Sequence, residues 1–252
     1  MTGLLPLLKK ELLEQIRTYR LLIVGGVLLF FGLTTPLTLK YLPEIIKLSG
    51  DSSMQINIPP PTAAQSLAEY GGSIGQTGVL VVVLVVMGAI ANELKHGTAL
   101  LTLSKPVTPA SFVTAKFIAI LCTLFVSILA ASLVCFGYTT WLIGMGDAVA
   151  FLGLNLLMFL FLVFCIALTL LFSSYFKSSL AAGGISFVII IFQAVVSTFP
   201  YVGDYMPGKL LAWGTNLLTG TGDTFWGALG ITVVLTGLCL YLAQRRLRTS
   251  EI

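Results

Sequence analysis

Residues 77–116 read TGVLVVVLVVMGAIANELKHGTALLTLSKPVTPASFVTAK. The first part, Thr77 to Ala91, consists of apolar and small residues with no charge. The second, Asn92 to Lys116, is polar: it holds the sole histidine, His96, the charges Glu93, Lys95, Lys105 and Lys116, and the prolines Pro106 and Pro109. Another apolar run leaves it after Lys116. An uncharged stretch of this kind belongs in hydrocarbon, and a charged, proline-broken one does not. The junction therefore predicts two membrane-crossing segments joined by a polar loop.

Composition extends that reading to the whole chain. Of 252 residues, 57% are hydrophobic and 10% charged, with a mean hydropathy of +1.00. Soluble domains carry roughly 25% charged residues, so a water-soluble fold could not coat itself. The polar residues never gather into a block large enough for a soluble domain, and residues 1–252 are expected to form one membrane domain. Cys122, Cys135, Cys165 and Cys239 all lie in apolar runs with no CxxC pair, and read as small buried side chains.

Residues 1–20 lack the apolar core of a cleavable leader, so the run beginning at Leu21 is expected to remain as an anchor. Before it, Leu5, Leu8, Leu12, Ile16 and Tyr19 recur at three- and four-residue spacing, with Lys9, Lys10, Glu14 and Arg17 on other faces. That pattern predicts an amphipathic helix lying in the headgroup plane; a cytoplasmic extension of the first span is the alternative. Six spans are predicted, at about 21–41, 73–94, 111–137, 148–173, 179–200 and 225–243, with a kink at Pro36. They are helices because lipid offers no partner to a backbone N–H or C=O, and they are too continuously apolar for barrel strands.

With the N-terminus cytoplasmic, eleven lysines and arginines fall inside and three (Lys40, Lys47, Lys209) outside. Acidic residues run the other way, leaving +7 inside and −3 outside. This positive-inside bias predicts cytoplasmic termini in the cell membrane. The basic balance thus reports topology and gives no sign of nucleic-acid binding. The external segment 201–224 is half apolar and too short to span twice, which suits a re-entrant or interfacial helix, with Trp213 as an interface anchor.

Catalytic chemistry is thinly represented. One histidine excludes two-histidine metal sites such as HExxH, and no metal set is expected. Gly203 to Lys209 (GDYMPGK) matches the start of a phosphate-binding loop, but Leu210 stands where Ser or Thr must hold Mg²⁺. Any nucleotide hydrolysis must come from another polypeptide. Within the spans, Gln76, Asn155 and Gln193 have two readings: interhelical hydrogen bonds of about 0.6 kcal/mol each, or the polar lining of a substrate path. Gly71 and Gly75 at GxxxG spacing, and Ser179, Ala182, Gly183 and Gly184, mark seams either within the chain or between two copies.

The loop itself then carries a resemblance. Glu93, Gly97-Thr98, the leucines Leu100-Leu101, Pro106 and Lys116 resemble the cytoplasmic loop of ABC-2-type transporter permeases. Thr108-Pro109-Ala110 departs from the family's Ser or Thr with Arg, which puts a basic residue's role there in doubt. Lys9-Lys10-Glu11 is similar to the family's entry helix, and Phe172 to Lys177 (FSSYFK) to its turn between spans four and five.

The resemblance implies an all-α polytopic membrane protein: six transmembrane helices, an N-terminal amphipathic interfacial helix and a short cytoplasmic coupling helix. It implies a non-catalytic permease subunit, paired with a second copy or a paralogue, and docked on separate ABC ATP-binding subunits that bind ATP and Mg²⁺. This chain would hold no cofactor. The coupling residues it implies are Glu93, His96, Gly97, Thr98, Leu101, Ser104, Pro106 and Lys116. Gly97 and either Pro106 or Pro109 would bracket the short helix, with Thr98 or Ser104 as its cap. Sparse charge favours a hydrophobic or amphipathic cargo such as a drug, peptide or lipid. The alternative is an ATPase-coupled scaffold for envelope or cofactor assembly, through which nothing passes.

Overall fold

The computed structural model describes residues 3–49, 60–97 and 108–249. Among these the chain is all-α: α1 Leu4–Arg17, α2 Arg20–Ser49, α3 Ala63–Val86, α4 Ala91–Lys95, α5 Pro109–Leu142, α6 Ala148–Tyr175, α7 Ser179–Val196, α8 Lys209–Thr219 and α9 Trp226–Thr249. Six segments are long and apolar enough to cross a membrane: α2, α3 with α4, α5, α6, α7 and α9.

Local chemistry sets the helix ends. Thr62 and Gln65 form a reciprocal capping box, so α3 begins at Ala63 and not near 73. The Thr108 hydroxyl accepts from Ser111 N–H and Pro109 takes the first helical position, where no N–H is needed. Pro109 and Ala110 therefore open α5 and do not close the preceding loop. Asp147 caps α6 through Val149 and Ala150 N–H at 2.8 and 3.1 Å. Helix α2 runs on through Pro36 and Pro43.

The bundle is built around α6, which packs on α3, α5, α7, α8 and α9. In its most apolar window 72% of residues are buried, against 28% in α2 and α7 and 22% in α9. Those outer helices turn unbroken apolar faces outward: Val188, Ile191, Phe192 and Val195 on α7, and Val233, Val234 and Leu238 on α9. Such faces would be a liability in water and suit lipid. Close backbone approach uses glycine where α2 meets α5. A Cβ on Gly32 would stand 2.8 Å from the Ala131 carbonyl oxygen.

The small-residue seams lie inside the chain. Gly71 faces Leu154 of α6, Gly75 faces Leu211 of α8, and Gly183 of α7 faces Met87. Helix α8 packs on α6 and α3 at the end of the bundle opposite α1. Leu210 and Trp213 are buried, and Trp213 packs edge-on to Trp226 at 5.0 Å. Trp213 is thus a packing residue and not the interface anchor expected of it. Its helix, at eleven residues, is too short to cross.

Candidate functional site: a buried charge cluster at the root of the 92–116 loop

Span two is broken before it reaches the loop. Helix α3 stops at Val86, residues 87–90 form turns, and α4 restarts at Ala91. A break in a spanning helix leaves backbone groups that need partners. Ser173, buried in the last turn of α6, supplies them. Its Oγ accepts from Ile90 N–H at 3.1 Å and Ala91 N–H at 2.9 Å, and donates to the Met87 carbonyl at 2.9 Å. One donor and two acceptor positions are all that a serine hydroxyl has. The break is therefore pinned to α6, through a residue of the FSSYFK turn.

Helix α4 is only one turn and a half, and it ends cleanly. His96 N–H bonds to the Asn92 carbonyl at 3.0 Å, and Gly97 follows at φ +70°, the left-handed conformation that terminates helices. His96 is exposed, with Nδ1 2.7 Å from the same Asn92 carbonyl. It belongs to the helix end.

Glu93 projects from α4 toward α5, where it meets Lys116. The Lys116 ammonium lies 2.6 Å from Glu93 Oε1, and 3.0 and 3.1 Å from the two carboxylate oxygens of Glu11 on α1. An ammonium has three protons, and three contacts are made. Lys116 and Glu11 are each 2% exposed. The Phe112 ring, 5.1 Å from Nζ, covers the cluster from within α5. Lys10 adds a second cation at 3.6 Å from Glu11 and 3.9 Å from Glu93, so two positive and two negative charges meet.

This geometry explains how α1 lies. Leu7, Glu11 and Gln15, spaced four apart, are its buried face, packed on α5. Leu5, Leu13, Ile16 and Tyr19 point away from the protein. Glu11 and Gln15 face protein, while the exposed side carries both these apolar residues and the cations Lys9, Lys10 and Arg17, as an interfacial helix requires. Glu14 brings a third carboxylate within 4.8 Å of Glu11 and Glu93. That trio does not make a divalent-cation site, because the Lys116 ammonium already sits against two of its members.

Of the predicted loop residues, Glu93, His96, Gly97 and Lys116 are placed. Thr98, Leu101, Ser104 and Pro106 lie outside the described residues. Glu93 and Lys116, the two ends of the loop, are brought together. Gln76, Asn155 and Gln193 are not. Asn155 accepts from Tyr70 OH at 3.3 Å and donates to the Phe151 carbonyl at 2.9 Å. Gln193 accepts from Gly208 N–H at 3.1 Å, and Gln76 is exposed on the outward face of α3. The GDYMPGK stretch forms a 3₁₀ turn at Gly203–Tyr205 and the start of α8, with Lys209 bound to Asp204 at 3.3 Å, a geometry unlike a phosphate cradle.

Sequence reasoning missed Glu11 and Ser173 as partners. A signal for the first was available: Lys116 lies in an apolar helix and needs a buried anion. Ser173 carried none, since the break it holds is not visible in an apolar run.

The family model for ABC-2 family transporter proteins matches residues 5–209, from α1 to the start of α8 and including the whole charge cluster. The chain is also 28% identical over 232 residues, 90% of each protein, to an uncharacterized transmembrane protein, YxlG, of Bacillus subtilis strain 168. With six spans, an entry helix and a match across most of its length, the chain belongs to the ABC-2 family of transporter proteins.

Proposed function

We propose that this chain is the permease subunit of an ATP-driven exporter, moving an apolar or amphipathic substrate with energy from a separate ABC ATP-binding subunit. The observation that carries the reading is the Glu11–Lys116–Glu93 cluster. It ties both ends of the 92–116 loop to each other and to the entry helix, so a push on the loop displaces α1, α4 and α5 together. Inside a low-dielectric site such charges resist separation: removing one partner of a buried pair typically costs roughly 3–5 kcal/mol.

The broken span refines how force would travel. Span two is not one rigid rod. With α4 hinged at 87–90 and pinned by Ser173, displacement of the loop passes to α5 through Lys116 and to α6 through Ser173, while α3 need not follow as one rod. A partner that binds the loop differently in its nucleotide states would shift the bundle between two arrangements. A second copy or paralogue completes the translocation unit, in the cell membrane with both termini cytoplasmic, as the charge bias favours.

The test is co-expression with candidate ABC ATP-binding subunits from the same genome. A complex should form whose ATPase rate depends on this chain, and Glu93→Ala with Gly97→Pro should abolish the association while the spans still insert. Association and coupled ATPase activity unchanged in that variant would reject the assignment.

A further inference from the structure

At the end of the bundle opposite α1, a pocket of about 530 Å³ opens between α2, α3 and α8. Leu39 and Leu42 of α2 form an apolar wall, and Gln65, Glu69, Thr215 and Thr219 supply the polar groups. Glu69 lies exposed in the second turn of α3, about 9 Å along the helix from Ala63. The outward line of α3 continues through Gly72 and Gln76 to Leu80, so the acid heads a semi-polar stripe on the exposed side of a helix whose other side is buried in the bundle.

A span of 33 residues at 1.5 Å per residue exceeds the roughly 30 Å of hydrocarbon, which leaves Glu69 exposed near its outer end, at the membrane boundary. No cation among the described residues pairs with it. Lys40 lies over the Tyr41 ring at 6.0 Å, while Lys209 is held by Asp204 at 3.3 Å and covers Phe225 at 5.1 Å. The other polar groups are biased the same way. Thr215 donates its hydroxyl proton to the Ala212 carbonyl at 2.8 Å, and Thr219 to the Thr215 carbonyl at 3.2 Å. The Thr215 oxygen remains as an acceptor, and that of Thr219 is shared with the Thr221 hydroxyl at 3.4 Å. The Gln65 carbonyl oxygen is taken by Thr62 N–H at 3.0 Å, which leaves its amide group as the pocket's side-chain donor.

From Glu69 and these hydroxyls we infer that the pocket binds an amphipathic primary amine, its ammonium on Glu69, Thr215 and Thr219 and its apolar body along Leu39 and Leu42. Excess acceptors match an N–H-bearing cation better than a quaternary one. A single carboxylate is too few charged oxygens for Ca²⁺ or Mg²⁺. Treating the amine as cargo rests on the permease function proposed above; binding itself needs no ATPase and is measured without one.

The full chain in lipid nanodiscs is titrated with dansylcadaverine, a fluorescent primary amine, against empty nanodiscs and against its neutral N-acetyl derivative. Saturable binding of the amine is expected, weakened about tenfold or more by Glu69→Gln, with the acetylated probe bound poorly and alike by both proteins. Leu39→Trp, which fills the apolar wall and keeps the acid, should also weaken the amine. Size-exclusion profiles confirm that each variant is folded. No saturable binding, or equal affinity in wild type and both variants, overturns the site. Loss of ATPase association with amine binding intact would instead overturn the coupling role and leave the pocket standing.

Discussion

Glu11 and Lys116 stand 105 residues apart in the chain and 3.0 Å apart in space, each almost wholly buried. The bond crosses from the entry helix to the third span, and Glu93 closes it against the loop from the other side at 2.6 Å. In a bundle held mostly by apolar packing, this is where three elements are fastened by charge.

Lys116→Met should destabilise the protein by roughly 3–5 kcal/mol, because two carboxylates are left facing each other in a buried site. Neutralising all three positions, Glu11→Gln with Glu93→Gln and Lys116→Met, should recover much of that loss. Thermal unfolding in detergent measures both. A single variant as stable as wild type would show that the cluster contributes nothing.

Ser173→Ala removes the hydroxyl that serves Ile90, Ala91 and Met87 at once. Leaving those groups unpaired should cost about 1–3 kcal/mol, concentrated at the break. Hydrogen–deuterium exchange should rise in peptides covering 87–95 and stay unchanged in the middle of α5. Uniform exchange across the protein would contradict a local hinge.

Two glycines of α2 separate packing from propensity. Gly32→Ala places a methyl 2.8 Å from the Ala131 carbonyl oxygen, a backbone atom that cannot swing aside, and should lower stability by roughly 1–3 kcal/mol. Gly26→Ala meets nothing within 4 Å and should be neutral or gain about 0.5–1 kcal/mol of helix stability. Melting temperatures of the pair, measured in the same lipid, check the order.

Tyr70→Phe deletes the interhelical bond to Asn155. The loss should be about 0.6 kcal/mol, as for other hydrogen bonds between membrane helices. Flux in reconstituted vesicles should be unaffected, since Asn155 here joins α3 to α6. A large change in flux with no change in stability would support Asn155, which also lines a cavity between α5 and α6, as part of a substrate path.

The six spans, their order and the polar loop were legible because crossing a bilayer is a local demand: about twenty apolar residues in a row, read directly from composition along the chain. The amphipathic start was legible for a similar reason, since its two faces differ in kind. The GxxxG pair at Gly71 and Gly75 was visible as a seam, but not what it faced.

What the sequence by itself determined is a helical membrane protein with a polar loop between spans two and three, and a resemblance to ABC-2 permeases that the family match makes membership. The tertiary structure decided which charges meet, where span two breaks and that Trp213 is interior. The physical reason is rotation. A helix apolar all round carries no sign of which face turns inward, so the faces of α5 and α6 that meet α1 and α4 are chosen only when packing sets each helix's angle about its axis. Lys116 shows the difference: its presence in an apolar helix demands an anion, and only the fold selects Glu11 and Glu93.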